Sequence, residues 1–436
     1  MQNKKTLVKI GMFYMLSNSL QKGIGFVVFM YLASLLNTAE YAQFGLDYSL
    51  LTILMALSYA GIYEAQISSY TEYKDKELSQ KLFNGGNTIF IISSLTSLVF
   101  FLVFYLCLYG IDSALNFFVI GIGALFLSFF TYQSIIIRMR DEQIVSVVFS
   151  FLPMVMAYLG GFAFVYFHRS SDSYFLGSLI FVIISTLILL PVLIRKKVYF
   201  TLDGDVLSAI SEKLLPYIVI TILLWLSGYG NTYLVKYLFT EVHVATFVFL
   251  YTLSSILQLV ATSMNQVWVP KFYKDYNSQS VSVLEVSYRK FTMFLGAVVG
   301  FVGFCIILIL PFIFGVFREF DKFNGTSIEL FFLFAGYVVS IPWWHCQNYY
   351  MINNKGKSLM KISLYSFSLG YILWIISMFI FGEMGIYIGF FIQMAVRTLF
   401  IYMRTKKEFE VKSDWEGIII GMSFLFLAIL IIKYVY

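Results

Sequence analysis

Residues 10–36 read IGMFYMLSNSLQKGIGFVVFMYLASLL. A helix of about 20 apolar residues crosses the ~30 Å hydrocarbon core of a bilayer, so this run is long enough to span. Yet Lys22 falls near its middle, roughly 16 Å in at ~1.5 Å per residue. Gly11, Tyr14, Asn18, Gln21, Lys22 and Gly25 share one helical face, while Phe13, Phe26 and Val27 occupy others. A charge at that depth costs several kcal/mol in lipid, so the polar stripe is expected to face a bundle interior or a water-filled cavity. The competing reading is a lysine that snorkels to the surface or pairs with a carboxylate such as Glu64.

Runs of this kind recur from end to end. The 436 residues are 60% hydrophobic, 19% aromatic and only 12% charged, against about 25% charged in a typical soluble domain. This composition describes an all-α polytopic membrane protein, with spans expected near 11–36, 44–68, 88–109, 114–137, 143–167, 174–194, 214–239, 244–268, 288–316, 327–351, 359–381, 384–403 and 416–435. The first run is too long for a cleavable signal peptide, and the alternation of a transmembrane β-strand is absent. The longest connections are YTEYKDKELSQKLFNGG, RKKVYFTLDGDVLSAISEK and KFYKDYNSQSVSVLEVSYRK. None is large enough for a catalytic domain, and no GxxxxGK[ST] phosphate cradle appears, so neither an ATPase nor another enzyme is expected.

Every second connection is basic: Lys4, Lys5 and Lys9, then Lys74, Lys76 and Lys81, and so on to Arg404, Lys406, Lys407 and Lys412. The alternate connections hold only Arg169, Arg318 and Lys322. Positive charge stays on the cytoplasmic side, which puts the N-terminus there. The same bias accounts for most of the net charge of +6, so it gives no argument for nucleic acid. Cys107, Cys305 and Cys346 fall inside spans as free thiols, and His168, His243 and His345 show no metal-ligand spacing.

Spans one and two resemble spans seven and eight at an offset of 203 residues, which pairs Phe44 with Phe247. The same offset pairs Tyr14 with Tyr217, Leu35 with Leu238, Ala42 with Ala245, Tyr48 with Tyr251, Ile53 with Ile256 and Leu54 with Leu257. Six spans precede the RKK connection and six follow it, so the duplication is a parallel repeat. Transporters place substrate between such repeats, near the midplane.

Other intramembrane polar groups stand out. In WLSGYGNTYLVK, Trp225, Tyr229, Thr232, Tyr233 and Lys236 share a face, and Gly228 and Gly230 loosen the helix. Lys236 lies close enough to the outer end to snorkel, and Arg397 lies about two turns from the cytoplasmic end of its span. Asp47 reads as an interfacial carboxylate, and Glu64 as a partner for Lys22 or a protonatable coupling group. SIPWWHCQNYY clusters Pro342, Trp343, Trp344, His345, Gln347 and Asn348 in a span that is otherwise apolar. Proline opens the backbone ladder there, and the freed polar groups need partners or water. Rings and amides suit sugars, and a packing kink is the equal alternative. Gly296 and Gly300 read as close helix packing.

MLSNSLQKGIGFVVFMYLASLL, the following NTAEYAQFGL with its acidic-Tyr-Ala-x-Phe pattern, TYQSIIIRMRDEQ at the end of span four, and the six-plus-six duplication together resemble a polysaccharide flippase of the Wzx type. That family lies within the multidrug/oligosaccharidyl-lipid/polysaccharide exporter superfamily, and the resemblance covers residues 1–405. Two features depart from it: LLNTAEYAQ lacks the usual Pro and Gly, and a thirteenth span exceeds the commoner twelve. The resemblance implies two six-helix bundles, 1–200 and 201–405, with 406–436 as an added transmembrane segment. It implies a central cationic cavity in a bacterial inner membrane, opening alternately to either side. The cargo would be an oligosaccharide on undecaprenyl pyrophosphate, destined for O-antigen (lipopolysaccharide) or capsule. Cavity candidates are then Lys22, Asn18, Gln21, Tyr229, Tyr233, Lys236, His345, Gln347 and Arg397, with Glu64 and Asp47 as coupling or ion-pair candidates. No cofactor is implied, and H+ or Na+ coupling stays open. Implied partners are the lipid-linked substrate, membrane lipids, a polysaccharide polymerase and a chain-length regulator. A multidrug antiporter of the same superfamily and a membrane-embedded polymerase are the other readings.

Overall fold

The computed structural model of the protein describes residues 4–62, 66, 76–139, 142–195, 199–278, 281–353, 355–408 and 415–435. Among them only helices and short connections occur. In chain order they are α1 (Lys4–Leu35), α2 (Thr38–Tyr59), α3 (Lys76–Tyr109), α4 (Ala114–Met139), α5 (Gln143–His168), α6 (Ser171–Arg195), α7 (Gly204–Leu226) and α8 (Asn231–Leu238). Then come α9 (Glu241–Ser278), α10 (Val281–Val316), α11 (Ser327–Val339), α12 (Ile341–Ile352), α13 (Gly356–Phe381), α14 (Met384–Glu408) and α15 (Glu416–Val435). Ten stretches are each long and apolar enough to cross a membrane, with α11 and α12 counting as one, and α7 makes an eleventh. With α1, apolar over Leu20–Leu35, and α2, each of the thirteen expected spans falls on helix among the described residues, spans seven and ten with a break. The chain is an all-α polytopic membrane protein.

Several connections expected from sequence are instead helix. α3 begins at Lys76, well before residue 88, because Leu82 and Phe83 are buried in a core with Ile62, Phe90, Tyr132 and Ile136. α9 and α10 run to Ser278 and from Val281, so KFYKDYNSQSVSVLEVSYRK is mostly helical. Trp268, Phe272, Leu284 and Tyr288 pack together and hold that extension. α7 starts at Gly204, capped by Asp203, whose carboxylate accepts from the Asp205 and Val206 amides. It bends by 46° between Glu212 and Leu214. Pro216 explains the bend, since its ring clashes with the carbonyl four residues back and removes a donor. α2 begins at Thr38 because Asn37 caps it, accepting from the Glu40 amide at 2.9 Å.

The chain divides into two compact units, Met1–Thr232 and Tyr233–Tyr436. α7 packs with the first, its Val206 and Ile210 joining the Phe83–Tyr132 core. Sequence order assigns that span to the second copy of the duplication, so packing and sequence divide the chain differently there. The second spans of the two copies meet the same neighbours within their own units. α2 packs on α3 and α4 in the first, and α9 on α10 and α11 in the second. α5–α6 and α13–α14 form close antiparallel pairs. The copies agree in detail as well. Phe44 stacks on Tyr48 at 5.8 Å and 25°, and Phe247 stacks on Tyr251 at 5.7 Å and 23°. Each phenylalanine also meets a tyrosine near the start of the sixth span of its half, Tyr174 at 4.9 Å and Tyr387 at 6.4 Å.

α15 is held to α10 by glycines. A Cβ on Gly296 would overlap the backbone of Gly417, and one on Gly300 that of Gly421. Backbone contact of this kind drives helix association in lipid, where apolar burial supplies no drive. Arg289 pairs with Glu416 at the start of α15, and the expectation of close packing at GAVVG holds.

Candidate functional site

In the first unit α1 buries one stripe, Gly25, Phe29, Leu32 and Leu36. Gly25 lies so close to the Tyr158 ring that a Cβ would overlap it. Phe29 sits among Phe44, Tyr48, Tyr158 and Tyr174, with ring centroids 4.7–6.3 Å away. Lys22 lies seven residues before Phe29, so it continues the same face. It is nevertheless exposed. The outer face of the helix is marked separately by Leu20, Val27 and Tyr31, each more than half exposed. Lys22 is therefore accessible on the side that elsewhere packs inward, as on a concave wall. Among the described residues nothing hydrogen-bonds or ion-pairs with it. Gln21 beside it is half-buried. Glu64 and the side chain of Asn18 lie outside the described residues.

Asp47 corrects an expectation. It is 0% exposed, where an interfacial carboxylate would meet water. Gln43 Nε2 donates to both its oxygens at 3.0 Å, the Tyr105 hydroxyl to one at 3.3 Å and the Ser171 hydroxyl to the other at 3.5 Å. Asn116 in turn donates to the Tyr105 oxygen at 3.2 Å, and Glu40 accepts from the Ser171 amide at 2.7 Å. Four helices, α2, α3, α4 and α6, converge on one carboxylate. Among the described residues no cation contacts it. Sequence reading missed this cradle, and only Gln43 was findable, since it lies one helical turn before Asp47.

Span seven breaks where its glycines predict. α7 ends at Leu226 and α8 begins at Asn231, with Gly228 and Gly230 amides both donating to the Trp225 carbonyl. The turn docks on α2. The Trp225 indole donates to the Ser49 carbonyl at 2.9 Å, and the Ser49 hydroxyl donates to the Tyr229 carbonyl at 2.8 Å. The Tyr229 ring meets Tyr48 at 5.3 Å, which brings it into the Phe29–Tyr48 cluster beside α1. Tyr233 and Lys236 open the second unit, half-buried and exposed respectively.

In the second unit span ten breaks at Ser340, and Pro342 stands in the first turn of α12. Gln347 is half-buried and accepts from the Trp343 indole at 3.0 Å. His345 is buried against Tyr288, Phe291 and Trp268, and neither ring nitrogen has a partner. Asn348 pairs with Asn265 at 2.9 Å. Arg397 is 5% exposed, its guanidinium 4.4 Å from the Trp343 ring centroid and 5.4 Å from that of Phe367. Lys22 and Lys236 are thus accessible, while His345 and Arg397 are sealed inside their unit. Past the end of α12, Lys355 donates to Glu408 at 2.9 Å and to the Tyr349 hydroxyl at 3.3 Å, and both contacts raise its ammonium above the ordinary lysine range.

The sequence matches the polysaccharide biosynthesis protein family over residues 7–274. No curated protein matches it. Solved structures share the fold at low identity. An inward-facing multidrug resistance MATE family transporter of the MOP superfamily matches with TM-score 0.68 and 15% identity, over 89% of this chain and 94% of that one. The lipid II flippase MurJ, in an inward closed conformation, matches with TM-score 0.68 and 15% identity, over 98% and 100%. The MATE multidrug transporter DinF-BH matches with TM-score 0.67 and 18% identity, over 96% and 97%.

Proposed function

Because this chain belongs to the polysaccharide biosynthesis protein family, we propose that it is a flippase for lipid-linked oligosaccharides. It turns repeat units carried on undecaprenyl pyrophosphate from the cytoplasmic to the outer leaflet of a bacterial inner membrane, its own N-terminus being cytoplasmic. The product feeds O-antigen or capsule assembly, where a polymerase and a chain-length regulator would act next. No covalent bond changes, so the task asks for alternating access and no catalytic group. The observation that carries this reading is Lys22, an accessible ammonium on the face of α1 that elsewhere packs inward, in a run whose sequence we read as crossing the membrane with Lys22 halfway along it. A pyrophosphate headgroup crossing hydrocarbon needs a charge partner at that depth. Gln21 and the rings of Tyr48 and Tyr229, gathered at the same bundle, suit sugar hydroxyls and ring faces. Asp47, buried without a cation among the described residues, is the group we assign to ion or proton coupling. A fold-mate that flips lipid II supports lipid-linked cargo by analogy.

Deleting the gene tests the reading. Lipid-linked repeat units should accumulate on the cytoplasmic side and the surface polymer should disappear, with tolerance to cationic dyes unchanged. Surface polymer that survives while dyes accumulate would instead favour a multidrug antiporter on the same fold.

A further inference from the structure

Arg397 poses a separate problem from Lys22. It lies on the buried stripe of α14, between Gln393 and Ile401. Its guanidinium is walled by Trp343 and Phe367, each 2% exposed. Its Nε has no hydrogen-bond partner, and no described residue forms an ion pair with it. The carboxylates of the same span are remote, since Glu383 precedes it by 14 residues and Glu408 follows by 11, or about 21 and 16 Å along a helix. Aromatic faces attract a guanidinium but leave its charge uncompensated. A buried charge with no counter-ion is among the most costly features a membrane protein can hold.

A second source of positive potential meets it there. Trp343, the ring under the guanidinium, is the third residue of α12, the 12-residue helix that starts after the break at Ser340. Amides of a helix's first turn that find no acceptor carry partial positive charge; here Pro342 has no amide hydrogen and the Trp343 amide donates to the Ser340 carbonyl at 3.0 Å, which leaves the Ile341 and Trp344 amides to supply it. Two sources of positive potential therefore lie together there, and no carboxylate of a described residue acts on the guanidinium. Tyr251 and Tyr337 also lie within electrostatic range of the guanidinium.

We propose that Arg397 and the first turn of α12 hold a small monovalent anion of chloride size as a bound counter-ion inside the second unit. The walls decide the size. Trp343 and Phe367 wall the guanidinium and are themselves buried, which favours a monatomic ion over a phosphate bearing a lipid or sugar chain. This inference is independent of the cargo proposed above, and flipping activity is not its readout.

The test uses the full-length protein purified in detergent. Iodide quenches indole emission on contact, and Trp343 lies against the guanidinium. Titrating iodide for gluconate at constant ionic strength should give a saturable quenching component over the linear collisional background from exposed indoles such as Trp415. Chloride should compete it away, and inorganic pyrophosphate should not. The component should vanish in Trp343→Phe and Arg397→Gln and persist, weakened, in Arg397→Lys. In the wild type alone, saturating chloride in place of gluconate should raise the melting midpoint by roughly 2–4 °C. Purely linear quenching together with equal melting in the two anions would overturn the proposal, even if Arg397→Gln fails to fold. So would competition by pyrophosphate as strong as that by chloride, because it would mean a site open to headgroups.

Discussion

Neutralising Lys22 perturbs the proposed headgroup contact most directly. An ammonium and a phosphate oxygen about 4 Å apart attract by ~4 kcal/mol at an effective dielectric of ~20 and by ~1 kcal/mol in bulk water. Lys22 is accessible but sits on an inward-facing stripe, so a value near ~2 kcal/mol is reasonable, equivalent to roughly a thirtyfold change in rate. Lys22→Gln should lose about that much transport. Lys22→Arg should keep most of it, and Lys22→Glu, which replaces attraction with repulsion of similar size, should fall to roughly a thousandth. The assay is surface polymer per unit of membrane-inserted protein. Pairing with Glu64 makes the opposite forecast. Orphaning one member of a buried pair is costly, while removing both is often neutral. Recovery of transport in Lys22→Gln/Glu64→Gln would refute the headgroup contact and leave Lys22 as scaffold.

Two further outcomes follow from the packing. Gly300→Val drives a branched side chain into the Gly421 backbone and should destabilise the α10–α15 contact by about 1–3 kcal/mol, read as proteolytic release of the last helix at lower temperature; Gly315→Val, with open space around it, is the control. Asp47→Asn keeps the shape of the cradle, so it should insert normally while losing the pH dependence of transport; unchanged pH dependence would make Asp47 purely structural.

The spans were legible because apolar runs of bilayer length have few alternative readings, and the breaks because Gly228, Gly230 and Pro342 each act locally on the backbone. The helical extensions of α3, α9 and α10 were not, since their charged residues read as loop and their order comes from burying Leu82, Phe83, Phe272 and Leu284. The site was legible in identity but not in environment. Lys22 and Arg397 are both mid-chain cations in apolar runs. Only the stripe below Phe29 shows that one is accessible, and only Trp343 and Phe367, from two other helices, show that the other is sealed. Depth along a span also misjudged Asp47, because three neighbouring helices cover it at a point where one helix alone would leave it in water.

The duplication itself separates scaffold from chemistry. At the offset that pairs Phe44 with Phe247, Gly25 pairs with Gly228, Lys22 with Trp225, Gln43 with Thr246 and Asp47 with Leu250. The stacked pair Phe44–Tyr48 recurs almost unchanged as Phe247–Tyr251, so the local framework survives without either charge. Leu250 is as fully buried as Asp47, and an apolar side chain evidently satisfies that position of the fold. A carboxylate there costs desolvation and needs Gln43, Tyr105 and Ser171 to offset it, and an ammonium at Lys22 costs more than the indole that stands in its place. Costs that one copy of the scaffold avoids are not needed for folding. Their presence in the first copy alone is the physical reason for assigning the ion and headgroup chemistry to the first unit, and for seeking a different role for the sealed arginine of the second.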